Sequence, residues 1–416
     1  MAIPPETWNR TTIRELGQIV TGSTPPTKQK ELFGKDYPFI TPTDISEISY
    51  TATTERFISN RGREYLGNRL LPPGSICFVC IGATIGKVCV TTRPSFTNQQ
   101  INGLIVDRSK HDHRFVYYLL KHEAQHIRRI ASGTATPIVN KSVFSNIGVA
   151  VPPLPTQHKI AAILSTYDNL IGNNLRRIEI LEEMSQLIYQ EWFVNFRFPG
   201  HEKVRMVESE LGMIPEDWRL RRLGDIAHFV RGIEPGSKNY LDEPKEGTVP
   251  FIRVGDLGSR QSGLFIPEEL AKGRFLDMND IAVTLDGTVG IVQVGLTGAY
   301  STGIRKVIVQ DSEQLSWAYV YFLLKSARIQ GIIKAHTRGT TIQHASSAID
   351  HMTFVCPPPN LMRTFDSYTS LLLRSMLNIM HRNAILRHTR DLLLPKLISG
   401  ELDVSGLDID IGEEPE

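Results

Sequence analysis

Gly82-Ala83-Thr84-Ile85-Gly86-Lys87-Val88 carries the glycines and the lysine of a phosphate-cradling loop. A nucleotide loop of that kind needs four residues between its glycines and a Ser or Thr after the lysine, so that backbone amides enclose the phosphates and the hydroxyl holds magnesium. Here three residues separate the glycines and Val88 follows Lys87. A related stretch, Asp286-Gly287-Thr288-Val289-Gly290, lacks the lysine altogether. Nucleotide binding is therefore not expected. Cys77-Phe78-Val79-Cys80 is a lone C-x-x-C, and neither Cys89 nor Cys356 completes a second pair of zinc ligands. In a strand, residues three apart face opposite sides, so these cysteines read as core. His122 and His126 have the i,i+4 spacing of metal ligands, and His111 lies near His113. The stretch His122-Glu123-Ala124-Gln125-His126 spells His-Glu-x-x-His, and a helix surface is kept as the simpler reading. No G-x-S-x-G elbow and no G-x-G-x-x-G turn occurs. The expectation is no catalytic residue, no metal ligand and no cofactor held by this chain.

The 416 residues carry 46 Lys+Arg against 44 Asp+Glu, a net charge of only +2. The charge is unevenly placed. The stretch from Glu401 to Glu416 holds seven acidic side chains and no basic one, leaving 46 basic against 37 acidic groups over residues 1–400. A mildly basic body beside an acidic tail suits a polyanion partner, although many solvated surfaces look alike. The tail itself reads as a solvated, mobile end. Four cysteines exclude a disulfide scaffold. The chain opens without an apolar signal core and contains no 18-residue apolar run, so a soluble protein of a reducing, prokaryotic cytoplasm with no membrane partner is expected.

The organising feature is an internal repeat. Ile3-Pro4-Pro5-Glu6-Thr7-Trp8 returns as Ile214-Pro215-Glu216-Asp217-Trp218, and Leu16-Gly17 as Leu223-Gly224. Pro38-Phe39-Ile40 with Asp44 matches Pro250-Phe251-Ile252 with Asp256. Ala83-Thr84-Ile85-Gly86 pairs with Gly287-Thr288-Val289-Gly290, Gly133-Thr134 with Gly339-Thr340, and Val151-Pro152-Pro153 with Cys356-Pro357-Pro358. Matches in this order, at a nearly constant offset of half the chain, define two copies of one module.

Each copy begins with a turn-rich region, residues 1–155 and 213–357, separated by a linker at 198–212. β-branched runs (Ser75–Cys80, Ile101–Val106, Ile281–Leu285, Lys306–Val309) alternate there with Gly, Pro and Thr turns and with helical stretches at Phe115–Ile130 and Ser316–Ala335. That mixture predicts an α+β domain with a twisted or barrel-like sheet. A long helix follows each Pro-Pro, over 156–197 and 358–395. The first starts from Thr156 as N-cap and repeats apolar residues at steps of four and three: Ile160, Leu164, Tyr167, Ile171, Ile178, Leu181, Ile188 and Trp192, with Asn174 and Ser185 interrupting. The second series is Phe365, Tyr368, Leu372, Ile379, Leu386 and Leu393, with Ser375, Arg382 and Thr389 between and Pro395 as terminator. A 3.5-residue period kept for about five heptads calls for a partner helix. Over Thr156–Phe193 and Leu361–Leu394 the two helices are expected to pair antiparallel as rods of about 57 and 51 Å at ~1.5 Å per residue, holding the two domains apart. The alternative is an ordinary amphipathic helix on each domain. Residues 396–416 complete the chain as a C-terminal segment with the acidic tail.

Two similar domains held apart make a reader of two separated sites. Candidate contacts are the basic and amide residues of the turn-rich segments. In the first copy these are Lys28, Lys30, Lys35, Arg61, Arg63, Lys87, Asn98, Gln99, Asn140 and Lys141. In the second they are Arg231, Lys238, Arg253, Arg260, Arg305, Lys306, Arg338, Gln343 and His344. Lys and Arg anchor phosphates, while Arg, Asn and Gln read guanine or adenine edges.

Four stretches add a resemblance. They are Leu211-Gly212-Met213-Ile214-Pro215-Glu216-Asp217-Trp218, Pro152-Pro153-Leu154 leading to Gln157 and Ile160, Leu187-Ile188-Tyr189-Gln190-Glu191-Trp192-Phe193-Val194-Asn195-Phe196, and Leu393-Leu394-Pro395-Lys396-Leu397-Ile398-Ser399-Gly400-Glu401-Leu402. With the repeat, they make nearly the whole chain resemble the specificity subunit of a type I restriction–modification system. The second copy departs from the family in having Pro357-Pro358-Pro359-Asn360 where Pro-Pro-Leu is usual. The resemblance implies two target recognition domains, separated by an antiparallel pair of long helices, that read the halves of an asymmetric, bipartite site in double-stranded DNA. It further implies helices that dock two methylation subunits, with restriction subunits joining the complex. S-adenosylmethionine, ATP and Mg would then be bound by those partners, and adenine-N6 methylation and cleavage would be theirs. Adenine methylation needs the base out of the stack, so the reader must tolerate flipping. The rival expectation is a two-module scaffold that binds proteins and not DNA.

Overall fold

The computed structural model describes residues 5–45, 50, 51, 54–131, 137–259, 262–310, 315–339 and 343–410. Ile3, Pro4, Gly133, Thr134, Arg260, Thr340 and the end of the acidic tail lie outside the described residues. The chain divides into two compact units, Met1–Asn173 with Ala384–Glu416, and Asn174–Asn383.

The first unit contains strands β1 (Asn9–Thr12), β2 (Gly17–Thr21), β3 (Phe33–Ile40), β4 (Tyr50–Thr51), β5 (Arg56–Ile58), β6 (Ile76–Val79), β7 (Val88–Thr91), β8 (Phe96–Thr97), β9 (Ile101–Val106) and β10 (Gly148–Val151). Its helices are α1 (Asn60–Leu66), α2 (His113–Ala131), α3 (Lys141–Ser145) and the start of α4 (Leu154–Tyr189). Three sheets form, in the orders β2-β9-β6-β7-β4, β5-β3-β8 and β1-β10. Strand β6 is buried on both faces, as its unbroken apolar run requires. Ile76 and Phe78 face the core that holds Phe115 and Leu120 of α2. Cys77 and Val79 face a second core with Val20, Ile40 and Cys89. Cys77 and Cys80 thus fall in different cores. Burial pushes the Cys80 thiol up to about 12, as expected of a thiol packed in a core.

The second unit repeats the plan. Its strands are β11 (Met206–Ser209), β12 (Gly212–Pro215), β13 (Arg219–Arg222), β14 (Ala227–Arg231), β15 (Thr248–Ile252), β16 (Phe265–Pro267), β17 (Phe275–Leu276), β18 (Ile281–Thr284), β19 (Val292–Gln293), β20 (Gly298–Tyr300), β21 (Ile304–Val309) and β22 (Thr353–Cys356). Helices α5 (Asp256–Ser259), α6 (Trp317–Lys325), α7 (Ala327–Ala335) and α8 (Pro359–Ile398) follow in chain order. The sheets run β14-β21-β18-β19, β16-β15-β20-β17 and β13-β22, with β11-β12 as an added hairpin. The shared strand order is that of the first unit, with one parallel pairing in each small sheet, β3 with β8 and β15 with β20; β4 beside β7 in the first unit and β17 beside β20 in the second have no counterpart.

The helix expected over Ser316–Ala335 breaks at Ser326, which is extended and caps α7 by accepting from the Ile329 amide. Its own hydroxyl donates to Leu323 O, so both ends of the break are satisfied. Helix α4 begins at Leu154, two residues before Thr156, because the amides of Thr156 and Gln157 donate to Pro153 O. Gln157 is buried; its carboxamide donates to Pro152 O and accepts from the Asp112 amide. That pairing is the physical content of the Pro-Pro-to-Gln spacing. Pro395 does not end α8, which continues to Ile398. Only the Asp391 carbonyl loses its amide partner, on an exposed residue, while buried Leu394, Leu397 and Ile398 hold the last turn.

Within each unit the segments of α4 and α8 run antiparallel. In the first, Asp168 meets Arg390, and Lys159 donates to the carbonyls of Ser405 and Leu407 beyond the helix end. In the second, Asn174 meets Asn383 and the Trp192 ring meets Phe365 and Tyr368. On α4, Ile160, Leu164, Ile171 and Ile178 are buried, with Tyr167, Leu181 and Ile188 half-buried beside them; α4 ends at Tyr189, short of the expected 197, and Trp192 is half-buried on the π-helical turn Gln190–Val194 that follows. The two interruptions, Asn174 and Ser185, lie on the same line, and Ser185 is completely buried.

On α8 the register differs from the sequence reading. Phe365 is buried, but Tyr368 is 56% exposed, and Leu372, Ile379, Leu386 and Leu393 are half-buried flanks. The buried line is Met362, Thr369, Met376, Asn383, Arg390 and Leu397, with Leu373, Met380 and Leu394 alongside. Polar residues on that line each have a partner, which is why an apolar count slipped by one position. The tail also differs from expectation within the described residues: Val404 is buried in the core of the first unit, so the start of the acidic segment is anchored there. Among the described residues no helix is long and apolar enough to cross a membrane.

Candidate nucleic-acid interface

One end of the large sheet in each unit is built on a common backbone frame. In the first unit, Gly22 N donates to Ile101 O, Ser23 N to Thr97 O, Asn98 N to Ile40 O and Cys80 N to Gln100 O. In the second, Gly232 N donates to Ile304 O, Ile233 N to Tyr300 O, Ser301 N to Ile252 O and Leu285 N to Gly303 O. The glycine loop meets the following segment identically: Gly82 N to Pro137 O and Val139 N to Cys80 O, against Gly287 N to Gln343 O and Ala345 N to Leu285 O. A Cβ on Gly22 would stand 2.2 Å from Asn98 O, and one on Gly232 would stand 2.2 Å from Tyr300 O. Both positions need glycine because the chain passes directly over another backbone.

The side chains mounted on this frame differ. In the first unit, Thr21 donates to Asn102 Oδ1 at 2.7 Å, and Asn102 donates to Cys80 Sγ at 3.2 Å. Thr24 donates to Gln99 Oε1 at 2.6 Å, and Ile81 bridges Ile138. The set is neutral. In the second unit, Arg231 and Arg305 take the places of Thr21 and Asn102, and Asp286 and His344 those of Ile81 and Ile138. Asp286 Oδ2 accepts from Arg305 at 3.0 Å and lies 4.0 Å from Arg231, while Oδ1 lies 2.8 Å from His344 Nδ1. Two cations and a histidine around one carboxylate leave net positive charge at the surface.

The predicted contacts sort by this geometry. Exposed are Lys28, Lys30, Lys35, Arg61, Arg63, Gln99, Asn140 and Lys141 in the first unit. Exposed in the second are Arg231, Lys238, Arg253, Arg338, Gln343 and His344. Arg63 stacks over the Tyr37 ring and donates to its hydroxyl, Arg253 pairs with Asp256, and Asn140 caps α3 through the Val143 amide. Four candidates are turned inward. Lys87 donates to the carbonyls of Pro42 and Ile45, which explains its lysine without a phosphate. Asn98 is buried and bonds Gln100. Arg305 is 5% exposed and bonds Thr302 O, Asp286 and Ser346. Lys306 is paired with Asp280 at 2.6 Å. These four support the frame and do not present a free face. Sequence reasoning missed Asp286 and Ile138, and the bridges that oppose them join segments about 57 residues apart, beyond any local pattern. Among the described residues no His, Cys, Asp and Glu group could hold a metal ion.

The structure is a doubled α+β module with a long helix after each copy and diverged side chains on a common sheet end. The profile of the type I restriction modification DNA specificity domain matches residues 5–183 and 215–360. The chain belongs to that family. It is 30% identical over 419 residues to the type I restriction enzyme MjaIX specificity subunit of Methanocaldococcus jannaschii, covering 97% of this chain and 95% of that one. It is 34% identical over 183 residues to the HindI specificity subunit of Haemophilus influenzae, covering 43% and 39%. The crystal structure of a type I restriction-modification S subunit from M. genitalium shares the fold, with a TM-score of 0.55, 19% identity and coverage of 94% and 96%.

Proposed function

We propose that this chain is the DNA-reading, non-catalytic subunit of a type I restriction–modification complex. Each module engages one half of an asymmetric, bipartite duplex target, and the helices dock two methylation subunits, through which restriction subunits join. The observation that carries this reading is the pair of identical backbone frames bearing different side chains. Equal frames suit equal docking on the duplex, and unequal side chains suit two unrelated half-sites. Methyl donor, ATP and magnesium are assigned to the partners. The exposed lysines and arginines supply phosphate contacts, which hold register without reading sequence.

The test is duplex binding by the full chain, alone and with a methylation subunit, across a salt series. Log affinity should fall with log salt by about 0.9 per neutralised phosphate. A random-duplex selection should enrich two half-sites at a fixed spacing. A flat salt response with no enriched sequence sinks the reading in favour of a protein-binding scaffold.

A further inference from the structure

The register equivalence of the two frames assigns more than general DNA contact. Four side chains matter, two in each unit: His344 and Ile138 stand at corresponding backbone positions, and Arg231 and Gln99 come from neighbouring positions of the frame. In the second unit these are Arg231 and His344, whose side chains are 63% and 61% exposed. Arg231 is tied by Nε to Thr302 O at 3.4 Å, which leaves Nη1 without a partner among the described residues. His344 Nδ1 bonds Asp286, and in the neutral imidazole that donates through Nδ1 the Nε2 atom is an acceptor. Asp286 is nearly buried and already bound to Arg305, so it is a fixed post for both.

In the first unit, His344 is replaced by Ile138, 53% exposed, and Thr302, the residue beside Arg231, by Gln99. Gln99 takes the Thr24 hydroxyl on Oε1, which fixes its carboxamide while leaving one lone pair and the amide group to a ligand. One unit therefore presents a guanidinium and an imidazole acceptor, and the other a carboxamide and a branched apolar side chain.

We infer that the second module reads a G·C pair through Arg231 and His344, and the first an A·T pair through Gln99 and Ile138. Resting on the proposed DNA-reading function, this assigns base identity to each half-site. The chemistry is complementary on both strands. A guanidinium donates to guanine O6 and N7, and the His344 acceptor takes the cytosine N4 amino group. A carboxamide pairs with adenine N6 and N7, and an isoleucine packs on the thymine methyl. Asp286 and Arg305 are positioning residues: they hold Arg231 and His344 without reaching the duplex.

The experiment is selection from a random duplex library by the full chain with a methylation subunit, comparing wild type, Arg231→Thr with His344→Ile, and Gln99→Ala. All three positions are exposed, and a melting curve unchanged from wild type confirms the fold. The double variant should lose about 5- to 150-fold of its preference for G·C at one position of one half-site and keep the other half-site intact. Gln99→Ala should do the converse at an A·T position. Two enriched half-sites that neither substitution alters overturn this inference and leave the reading of the chain intact. A wild type that enriches no sequence overturns both.

Discussion

Arg390 and Asp168 form the buried ion pair of the first unit's helix seam, and their removal has a calculable cost. Arg390 Nη1 lies 2.6 Å from Asp168 Oδ1, with side chains 10% and 8% exposed. Asp168 Oδ2 also accepts from the Tyr118 hydroxyl at 2.7 Å. Burial alone would lower the Arg390 pKa, but the charges of Asp168 and Asp391 hold it above its ordinary value, so the pair stays ionised. Arg390→Leu strands a carboxylate away from water, a loss of about 3–5 kcal/mol for a broken buried pair. The Tyr118 bond survives, which places the cost near the lower end. The second arginine contact, to Asp391, is to an exposed carboxylate and adds ~0–1 kcal/mol at most.

For a unit of this size, about 3 kcal/mol moves the melting midpoint by roughly 6–12 °C. Because the chain has two units, the assay is amide exchange or denaturant unfolding followed at α2 and the end of α8, not one global midpoint. The decisive arm is Asp168→Leu with Arg390→Leu. Replacing both charges by apolar groups removes the stranded carboxylate and should recover part of the loss, the remaining deficit of about 1–3 kcal/mol coming from the Tyr118 bond that goes with Asp168. If the double variant instead loses the sum of the two single losses, the pair is not coupled and the reasoning fails.

Three further outcomes follow from the same packing. Burial pulls the Asp112 carboxyl upward, but Arg114, the Phe115 amide and His158 outweigh it and leave it below its usual range. A depressed carboxylate stabilises above its unfolded pKa of about 3.9 and loses that contribution as pH falls through the folded value, so wild type should exceed Asp112→Asn in stability at neutral pH and converge with it below about pH 4 in melting series. Gly22→Ala and Gly232→Ala should each cost about 1–3 kcal/mol, measured by denaturant unfolding, since the added methyl meets backbone in both units; a large effect in one and none in the other would break the equivalence of the frames. Val404→Asp should release the C-terminal segment from the first unit's core, read as new proteolytic cleavage after Gly400, whereas unchanged cleavage would show that Lys159 alone holds it.

What the sequence disclosed follows the range of the interactions involved. The repeat was legible because Pro38-Phe39-Ile40 and its counterpart Pro250-Phe251-Ile252 keep both residue type and backbone role, each ending on a strand that takes a parallel neighbour. The buried line of α4 was legible because its residues are mostly apolar at heptad spacing. That of α8 was not, because three of its positions are Thr369, Asn383 and Arg390, whose burial depends on the Phe365 carbonyl, Asn174 and Asp168. The same limit governs the interface. Charge type picked out Arg231 and His344, which lie exposed, and equally Arg305 and Lys306, which Asp286 and Asp280 claim from the adjacent strand end. A cation's sequence position says that it needs an anion; only the fold says whether the anion is already supplied. Asp286 is shared by Arg305 on one oxygen and His344 on the other, so Arg231, 4.0 Å away at its edge, is held in place with charge to spare, and the proposed contact with a duplex rests on that surplus.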